Sequence, residues 1–385
     1  MSYNRYVLLK RFLHLAPNNT MFPRGEPGHD PWHKIRPMLD HLNGKFKKHY
    51  VSTVNVSIDE SMIGMKNRHI YIQYLPNKRH CRFGIKKFEV CEAHTGYVFH
   101  IELYSGKEFP IHSEDGQGSA VVMHLMEQAQ LLNKGYHLQT DNWYTKCKLA
   151  TDLLQKDTSL TGTVRANSKG LPKLLTRPGK MKPQTTKYAK KGNLLCCAYM
   201  DKKSQRKPVL SLSTASPSVD LTSEVRGTAK LRPYMAQTYN AGMGGVDLMD
   251  RKIYQIAAER PCNKYWMKIF FNLVDIAVRN SYEIYQQTDL PKLSCQDFVS
   301  RVVEGLCTPT PPPVATPLCF SMLHVSTLLD GKKERDCVVC SDKAAGIRRR
   351  SRHWCPGCGV GVHEKCFDGL EHCNRVGGRK GPASP

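Results

Sequence analysis

The sequence predicts an α/β fold built on a mixed sheet, and three observations predict it. Val54-Asn55-Val56-Ser57-Ile58-Asp59 alternates apolar and polar residues with the period of a strand. Strand-like runs recur at residues 83–90, 97–104, 136–141 and 160–164, with helical patterns set between the later ones. Three strands, a helix, a strand, a helix and a strand is the order of an α/β layer with a mixed sheet. At 385 residues the chain is long enough for two or more domains and a full-sized core.

The elements follow in order. Residues 1–50 read as helical: Tyr6, Leu9, Phe12 and Leu13 fall at helical spacing, as do Ile35, Met38, Leu39 and Leu42. A loop rich in Pro, Gly and Asn separates them. The chain opens inside an amphipathic pattern with no polar lead-in, and we expect a segment upstream of Met1. The first strand ends at Asp59. Pro76-Asn77-Lys78-Arg79 signals a turn, and Thr95-Gly96 joins the second and third strands as a hairpin. Val122, Leu125, Met126 and Ala129 mark a helix over 119–134, stopped by Gly135. The fourth strand ends in a second acid, Asp141. A short helix covers 149–154. Acids at the ends of the first and fourth strands make this order resemble the ribonuclease-H-like fold.

Residues 165–235 break the pattern. Arg165 to Lys207 holds thirteen Lys or Arg and one acid, Asp201. Strand-like pieces at 194–199 and 209–213 make this stretch a basic, β-rich insertion. Residues 236–300 return helices that close the core, with Trp266, Phe270, Leu273, Ala277 and Ile284 on one face of a long helical region over 246–287. A proline-rich linker occupies 301–332 and a cysteine-rich domain 333–385.

Lys plus Arg outnumber Asp plus Glu by 57 to 33, for a net charge of +24. That balance suits a polyanionic partner, nucleic acid above all. No apolar run is long enough for a membrane span, and the N-terminus has no apolar signal-peptide core. Of fifteen cysteines, six crowd into Cys337 to Cys373. Scattered cysteines without a secretory signal point to reduced thiols, so the crowded six read as metal ligands.

These fall into pairs: Cys337-x2-Cys340, Cys355-x2-Cys358, His363-x2-Cys366 and His372-Cys373. Two-residue spacers let one knuckle present two ligands to a tetrahedral Zn²⁺. An interleaved cross-brace for two ions would join Cys337, Cys340, His363 and Cys366 at one, and Cys355, Cys358 and Cys373 at the other. His372 or His353 would complete the second set. Between the first two pairs lies Arg348-Arg349-Arg350-Ser351-Arg352, which reads as an import signal, a phosphate-contacting loop or a solvated charge run.

Gly244-Gly245-Val246-Asp247-Leu248-Met249-Asp250 carries two acids three apart, on one face of a helix. One strand-end Asp is commonly a turn former or helix cap. Jointly, Asp59, Asp141, Asp247 and Asp250 would repel one another unless cations sat between them. Their hard oxygens suit Mg²⁺ or Mn²⁺, and two such ions serve phosphoryl transfer.

The motifs carry a resemblance. Val56-Ser57-Ile58-Asp59-Glu60-Ser61-Met62, then Gly64-Met65-Lys66-Asn67-Arg68, resembles the first acidic motif of piggyBac-type transposases. Leu75-Pro76-Asn77-Lys78 and Gly84-Ile85-Lys86 match the segment after it. Thr140-Asp141-Asn142-Trp143-Tyr144-Thr145 resembles the second motif. Gly244 to Asp250, then Trp266 and Asn280-Ser281-Tyr282, resembles the third. Met1 to His14 is similar to the helical segment ahead of the family's core, and members carry a longer region before it.

The resemblance implies a catalytic triad of Asp59, Asp141 and Asp247, with Asp250 as a fourth acid supporting the metals. It implies cleavage and strand transfer at transposon ends through DNA hairpins, and integration at TTAA. It also implies a β-rich domain that touches DNA, a zinc cross-brace that binds terminal DNA, and a homodimer in the nucleus. Lys66, Arg68, Lys86, Lys87, Arg165, Lys169, Lys173, Arg348, Arg349 and Arg350 are the candidate DNA contacts. Two alternatives accompany this expectation: a host-adopted DNA-binding protein that keeps the fold without the activity, and a zinc-dependent chromatin or protein-interaction module.

Overall fold

The computed structural model describes residues 1–66, 68–76, 78, 81–202, 204–225, 228–256, 264–308, 326–342, 345–356 and 359–367. In chain order the first unit contains α1 (Tyr3–Phe12), α2 (Arg36–His49), β1 (Asn55–Gly64), β2 (Ile72–Tyr74), β3 (Phe83–Glu92), β4 (Val98–Leu103), α3 (Gln117–Gln128), β5 (His137–Thr140), α4 (Cys147–Leu154) and β6 (Ser159–Thr163). It continues with α5 (Lys173–Thr176), β7 (Thr185–Lys191), β8 (Leu194–Met200), β9 (Val209–Ser213), β10 (Asp220–Val225), β11 (Thr228–Pro233), α6 (Tyr234–Gly242), α7 (Gly245–Ile256) and α8 (Tyr265–Gln286), and α9 (Cys295–Cys307) runs across the boundary into the second unit. Contacts divide the chain between Val299 and Ser300. No helix among the described residues is long and apolar enough to cross a membrane.

One mixed sheet organises the first unit, in the order β2-β3-β1-β5-β6-β9-β8-β7, with β4 also on β3. Its centre is parallel: β1 pairs with β5 and β5 with β6. Each parallel step needs a crossover, and α4 supplies the one from β5 to β6. The strands of the basic stretch do not form a sheet of their own. β9 pairs antiparallel to β6, and β8 and β7 follow it outward, so 185–213 extends the central sheet. β10 and β11 form a separate hairpin.

Helices cover both faces, and so Val56, Ser57 and Ile58 are all fully buried although their side chains alternate. α7 packs across β1 and β3 on one face and α8 packs on α7, while α3 packs on β3 and β4. The edge of β4 is closed by two asparagines. Asn43 of α2 donates to the carbonyl of Ile101 at 3.0 Å and accepts from its N–H at 3.0 Å. Asn280 of α8 does the same for Val98, at 2.9 and 3.0 Å. Each side-chain amide stands in for a neighbouring strand's peptide, and so removes an unpaired edge.

Several boundaries differ from the sequence expectation. β1 runs to Gly64, so Asp59 lies within the strand rather than at its end. α3 stops at Gln128, because Gln130 and Asn133 adopt left-handed φ of 58° and 59° before Gly135 is reached. The long helical region is two helices, α7 and α8, with 257–263 outside the described residues.

In the second unit, β12 (Thr327–Leu328), β13 (Arg335–Asp336), β14 (Arg350–Ser351), β15 (His353–Cys355) and β16 (Val360–Gly361) form two small sheets. Buried Cys337, Cys355 and Val362 form their core. That core is small for its length, which leaves room for metal to carry stability.

Candidate acidic site and Cys/His cluster

Register places the first two acids. The parallel pairing of β1 with β5 runs from Asn55↔His137 to Ile58↔Thr140. The next residues along are Asp59 and Asp141, so two carboxylates leave adjacent strands at one level. A turn holds Asp141: its Oδ1 accepts from the Trp143 N–H at 2.8 Å, and Thr145 Oγ1 donates to its carbonyl at 2.7 Å. Trp143 then lies parallel to Phe88, with ring centroids 5.8 Å apart. Asp59 accepts from the Glu60 N–H at 2.8 Å.

The third acid arrives because α7 can lie directly on β1. A Cβ on Gly245 would stand 2.5 Å from Ser57 Oγ and 2.7 Å from the Glu92 carbonyl. Gly96, at φ +74°, presses on the same helix, and its Cβ would meet the Gly245 carbonyl at 3.0 Å. Gly245 therefore sets the approach of the helix that carries Asp247 and Asp250, while Gly244 faces open space. Gly245→Ala is expected to cost about 1–3 kcal/mol by overpacking against backbone, and Gly244→Ala to stay within about 0.5 kcal/mol. Chemical denaturation of the pair checks this, and equal effects would remove Gly245 from the account.

Asp247 and Asp250 line a cleft of about 780 Å³ with Met62, Lys78 and Arg251. Asp247 is 69% exposed, whereas Asp250 is half-buried. Burial, and then repulsion from Glu60, pushes the Asp59 carboxyl up to about 8. Burial also raises Asp141, with Glu60 adding repulsion. Asp250 is raised to about 6, by burial first and by Glu89 and Asp247 beyond it. Nearby cations offset part of this, Lys78 at Asp59 and Lys87 with Lys78 at Asp250.

Lys78 supplies part of what is there. Its ammonium donates to the Glu60 carbonyl at 2.8 Å and lies 4.0 Å from Asp247 Oδ1. Burial lowers this lysine, yet the nearby Asp59, Asp247, Glu60 and Asp250 outweigh that and raise it. Sequence reading quoted Glu60 and Lys78 within motifs but gave them no role. Glu60 was hidden because it alternates to the opposite face from Asp59, where it accepts from the Tyr144 hydroxyl at 3.3 Å. Its charge bears on Asp59 as the next residue along the strand, and the folded register brings it to bear on Asp141 as well. Among the described residues, the four aspartates do not gather three ligand atoms within 4.8 Å.

The candidate DNA contacts separate sharply. Lys66, Arg68, Arg165, Lys169 and Lys173 are exposed. Arg165 Nε donates to Asn142 Oδ1 at 2.9 Å, next to Asp141. Lys87 corrects the expectation: its side chain is 1% exposed and ion-paired with the fully buried Glu89, so it cannot reach a phosphate. β3 places it on the same face as Glu89, and a buried cation is held there by its buried carboxylate. Lys86 is half-buried, its ammonium 4.6 Å from the Phe88 ring centre and 5.0 Å from that of Trp143.

In the tail unit, Cys337, Cys340, His363 and Cys366 bring their ligand atoms within 4.8 Å of one another. This is the set expected for the first ion. Cys340 Sγ lies 3.2 Å from His363 Nδ1, and His363 Nε2 lies 2.8 Å from the Arg350 carbonyl. A proton on Nε2 donated to that carbonyl leaves Nδ1 as the ligand atom. Burial raises the Cys337 thiol, but the N–H groups of His363, Cys340 and Val339 outweigh it and favour the thiolate. Cys355 is buried beside this set and His353 is half-buried. Cys358, His372 and Cys373, expected at the second ion, lie outside the described residues. Arg348 and Arg350 are exposed and each stands 3.9 Å from Asp336. Arg349 is also exposed, and its carbonyl accepts from the Cys337 N–H at 2.8 Å.

A family model described as Transposase IS4 matches residues 1–282, a span that holds all four aspartates. Two human proteins are similar over much of the chain. PiggyBac transposable element-derived protein 3 is 25% identical over 95% of this chain and 62% of its own length. PiggyBac transposable element-derived protein 2 is 26% identical over 76% of this chain and 49% of its own. The chain belongs to the piggyBac-type transposase family. Its fold is similar to that of a piggyBac transposase solved by cryo-electron microscopy as a synaptic complex with hairpin DNA. The TM-score is 0.69 and identity 23%, over 95% of this chain and 80% of that one. The alignments with the two human relatives thus leave more than a third of each outside the match. In this piggyBac-type chain the acidic motifs map to one strand, one strand-end turn and one helix that packs on that strand.

Proposed function

We propose that this chain is a DNA nuclease and strand transferase that cuts and joins transposon ends at TTAA, built on a ribonuclease-H-like core. The observation that carries the reading is the side-by-side register of Asp59 and Asp141, with α7 seated on the same strand by Gly245. Asp59, Asp141 and Asp247 would hold Mg²⁺ or Mn²⁺, with Asp250 supporting them. The donor set fits: it is all oxygen, and burial raises Asp59, Asp141 and Asp250, with like charge beyond it. Bound divalent cations would supply an activated water or 3′-hydroxyl and a charge on the leaving oxygen. The chain's own part is positioning. The Asp141 turn and the Asp59 hydrogen bond fix two carboxylates, α7 carries the others, and Lys78 adds a positive charge at the cleft. Mg²⁺-dependent nicking of a TTAA-flanked terminal-repeat duplex tests the reading.

Duplex DNA is the partner in this account, with a homodimer in the nucleus as the working form. Lys66 and Arg68 follow β1, Arg165, Lys169 and Lys173 follow β6, and all five are exposed, with Arg165 held near Asp141 through Asn142. Reversing the charge of Arg165, Lys169 and Lys173 together is expected to reduce the slope of log K against log[salt] by about 2–3. Fluorescence anisotropy across a salt series measures it, and an unaltered slope would count against that surface. In the tail, Cys337, Cys340, His363 and Cys366 would hold one Zn²⁺, and Cys355, Cys358 and Cys373 with His372 or His353 a second.

A specific observation favours one other reading. Lys78 already provides a cation among the carboxylates. A host-adopted DNA-binding protein could keep the acids as a charge-balanced structural cluster, and that protein would bind duplex DNA without nicking it.

A further inference from the structure

We propose that His100, Glu102 and His124 form a separate site for a first-row divalent transition cation such as Zn²⁺, tying α3 to the sheet edge. The ligand atoms of these three residues lie within 4.8 Å of one another. Glu102 Oε2 stands 3.3 Å from His124 Nε2 and 3.7 Å from His100 Nε2. Ligands bound tetrahedrally to zinc at 2.0–2.2 Å are about 3.4 Å apart, so the three groups already stand at coordination spacing.

The second observation concerns His100. It is 6% exposed, and both its ring nitrogens are buried without a hydrogen-bond partner. A neutral imidazole carries one donor and one acceptor, and leaving both unmet in the interior is costly. A cation facing Nε2 would satisfy one of them. Glu102 supplies a carboxylate oxygen placed between the two imidazoles. The set is half open: the side chain of His124 is 31% exposed and that of Glu102 16%, so an ion has a way in and a coordination position facing water.

The site is distinct from the acidic cleft. β3 pairs Phe88 with Glu102 of β4 on one side and with Glu60 of β1 on the other. Two strand spacings, about 10 Å, therefore separate Glu102 from Glu60, with the Phe88 ring between. Asp59 pairs with Glu89 and through it with Ile101, so Asp59 faces the opposite side of the sheet from His100 and Glu102. Imidazole with carboxylate also selects a softer metal than the all-oxygen cleft does.

The test is Zn²⁺ uptake by the full chain, read by elemental analysis after equilibrium dialysis and by the thermal midpoint. Wild type is expected to hold about one more Zn²⁺ per chain than His124→Ala or Glu102→Gln. Each variant should bind that ion at least about 100-fold more weakly and lose the zinc-dependent rise in midpoint. Both variants keep His100 and the core strand, so folding is preserved. Asp59→Asn should retain the extra ion, which separates this site from the cleft. Equal zinc content in wild type, His124→Ala and Glu102→Gln would overturn the proposal. So would loss of the extra ion in Asp59→Asn.

Discussion

Asp59→Asn is expected to lower Mg²⁺-dependent nicking of a terminal-repeat duplex by on the order of 10³-fold or more, as removal of a group that acts in a catalytic unit does. The same change should stabilise the metal-free fold at neutral pH. The sign follows from the raised carboxyl. A group held at about 8 in the folded chain and near its ordinary value when unfolded binds more protons in the folded state. It therefore subtracts stability progressively as pH rises from about 4 toward 8. Asparagine removes that loss, so the midpoint of the variant should exceed wild type at pH 7–8, and the gap should close near pH 4. A variant that is more stable and inactive separates a metal-holding role from a merely structural one. Nicking at the wild-type rate would remove Asp59 from the triad. Lower stability at every pH would contradict the charge argument.

Removal of zinc from the tail is the second large effect. The tail's described core consists of Cys337, Cys355 and Val362 with a few half-buried neighbours. Structural zinc in small domains supplies about 10–16 kcal/mol of apparent binding energy that serves as folding energy. Chelation, or Cys337→Ser, is expected to unfold the tail and abolish its amide-exchange protection, while the mixed-sheet unit melts at an unchanged temperature. Metal analysis of the untreated protein should give about two Zn²⁺ in the tail. Retained protection in the tail after chelation would end the claim.

The architecture was legible where periodicity and position agree. The alternation of Val54 to Asp59 and the spacing of Cys337, Cys340, His363 and Cys366 each state a local constraint, and they correspond to a strand and a cluster. What was hidden depends on pairing between distant segments. Nothing local says that β9 joins β6, so 165–235 read as a basic β-rich insertion without showing that β7, β8 and β9 lengthen the central sheet while β10 and β11 pair apart. Lys87 and Lys86 are adjacent cations in sequence, yet β3 sends one to a buried ion pair and the other over aromatic rings. Asn280 was visible only as a motif residue, and its work at Val98 appears 182 positions away. Glu60 and Lys78 have no spacing rule at all. The effect of Lys78 on Asp59 exists only once residue 78 is brought back against β1.

The central claim is that Asp59, Asp141 and Asp247 share divalent cations. Mn²⁺ binding, followed by electron paramagnetic resonance of the free ion, tests it without any need for a cognate DNA end. The account predicts saturable Mn²⁺ binding by wild type and by His124→Ala. It predicts loss of that binding in each of Asp59→Asn, Asp141→Asn and Asp247→Asn. Binding that survives all three substitutions unchanged would contradict it.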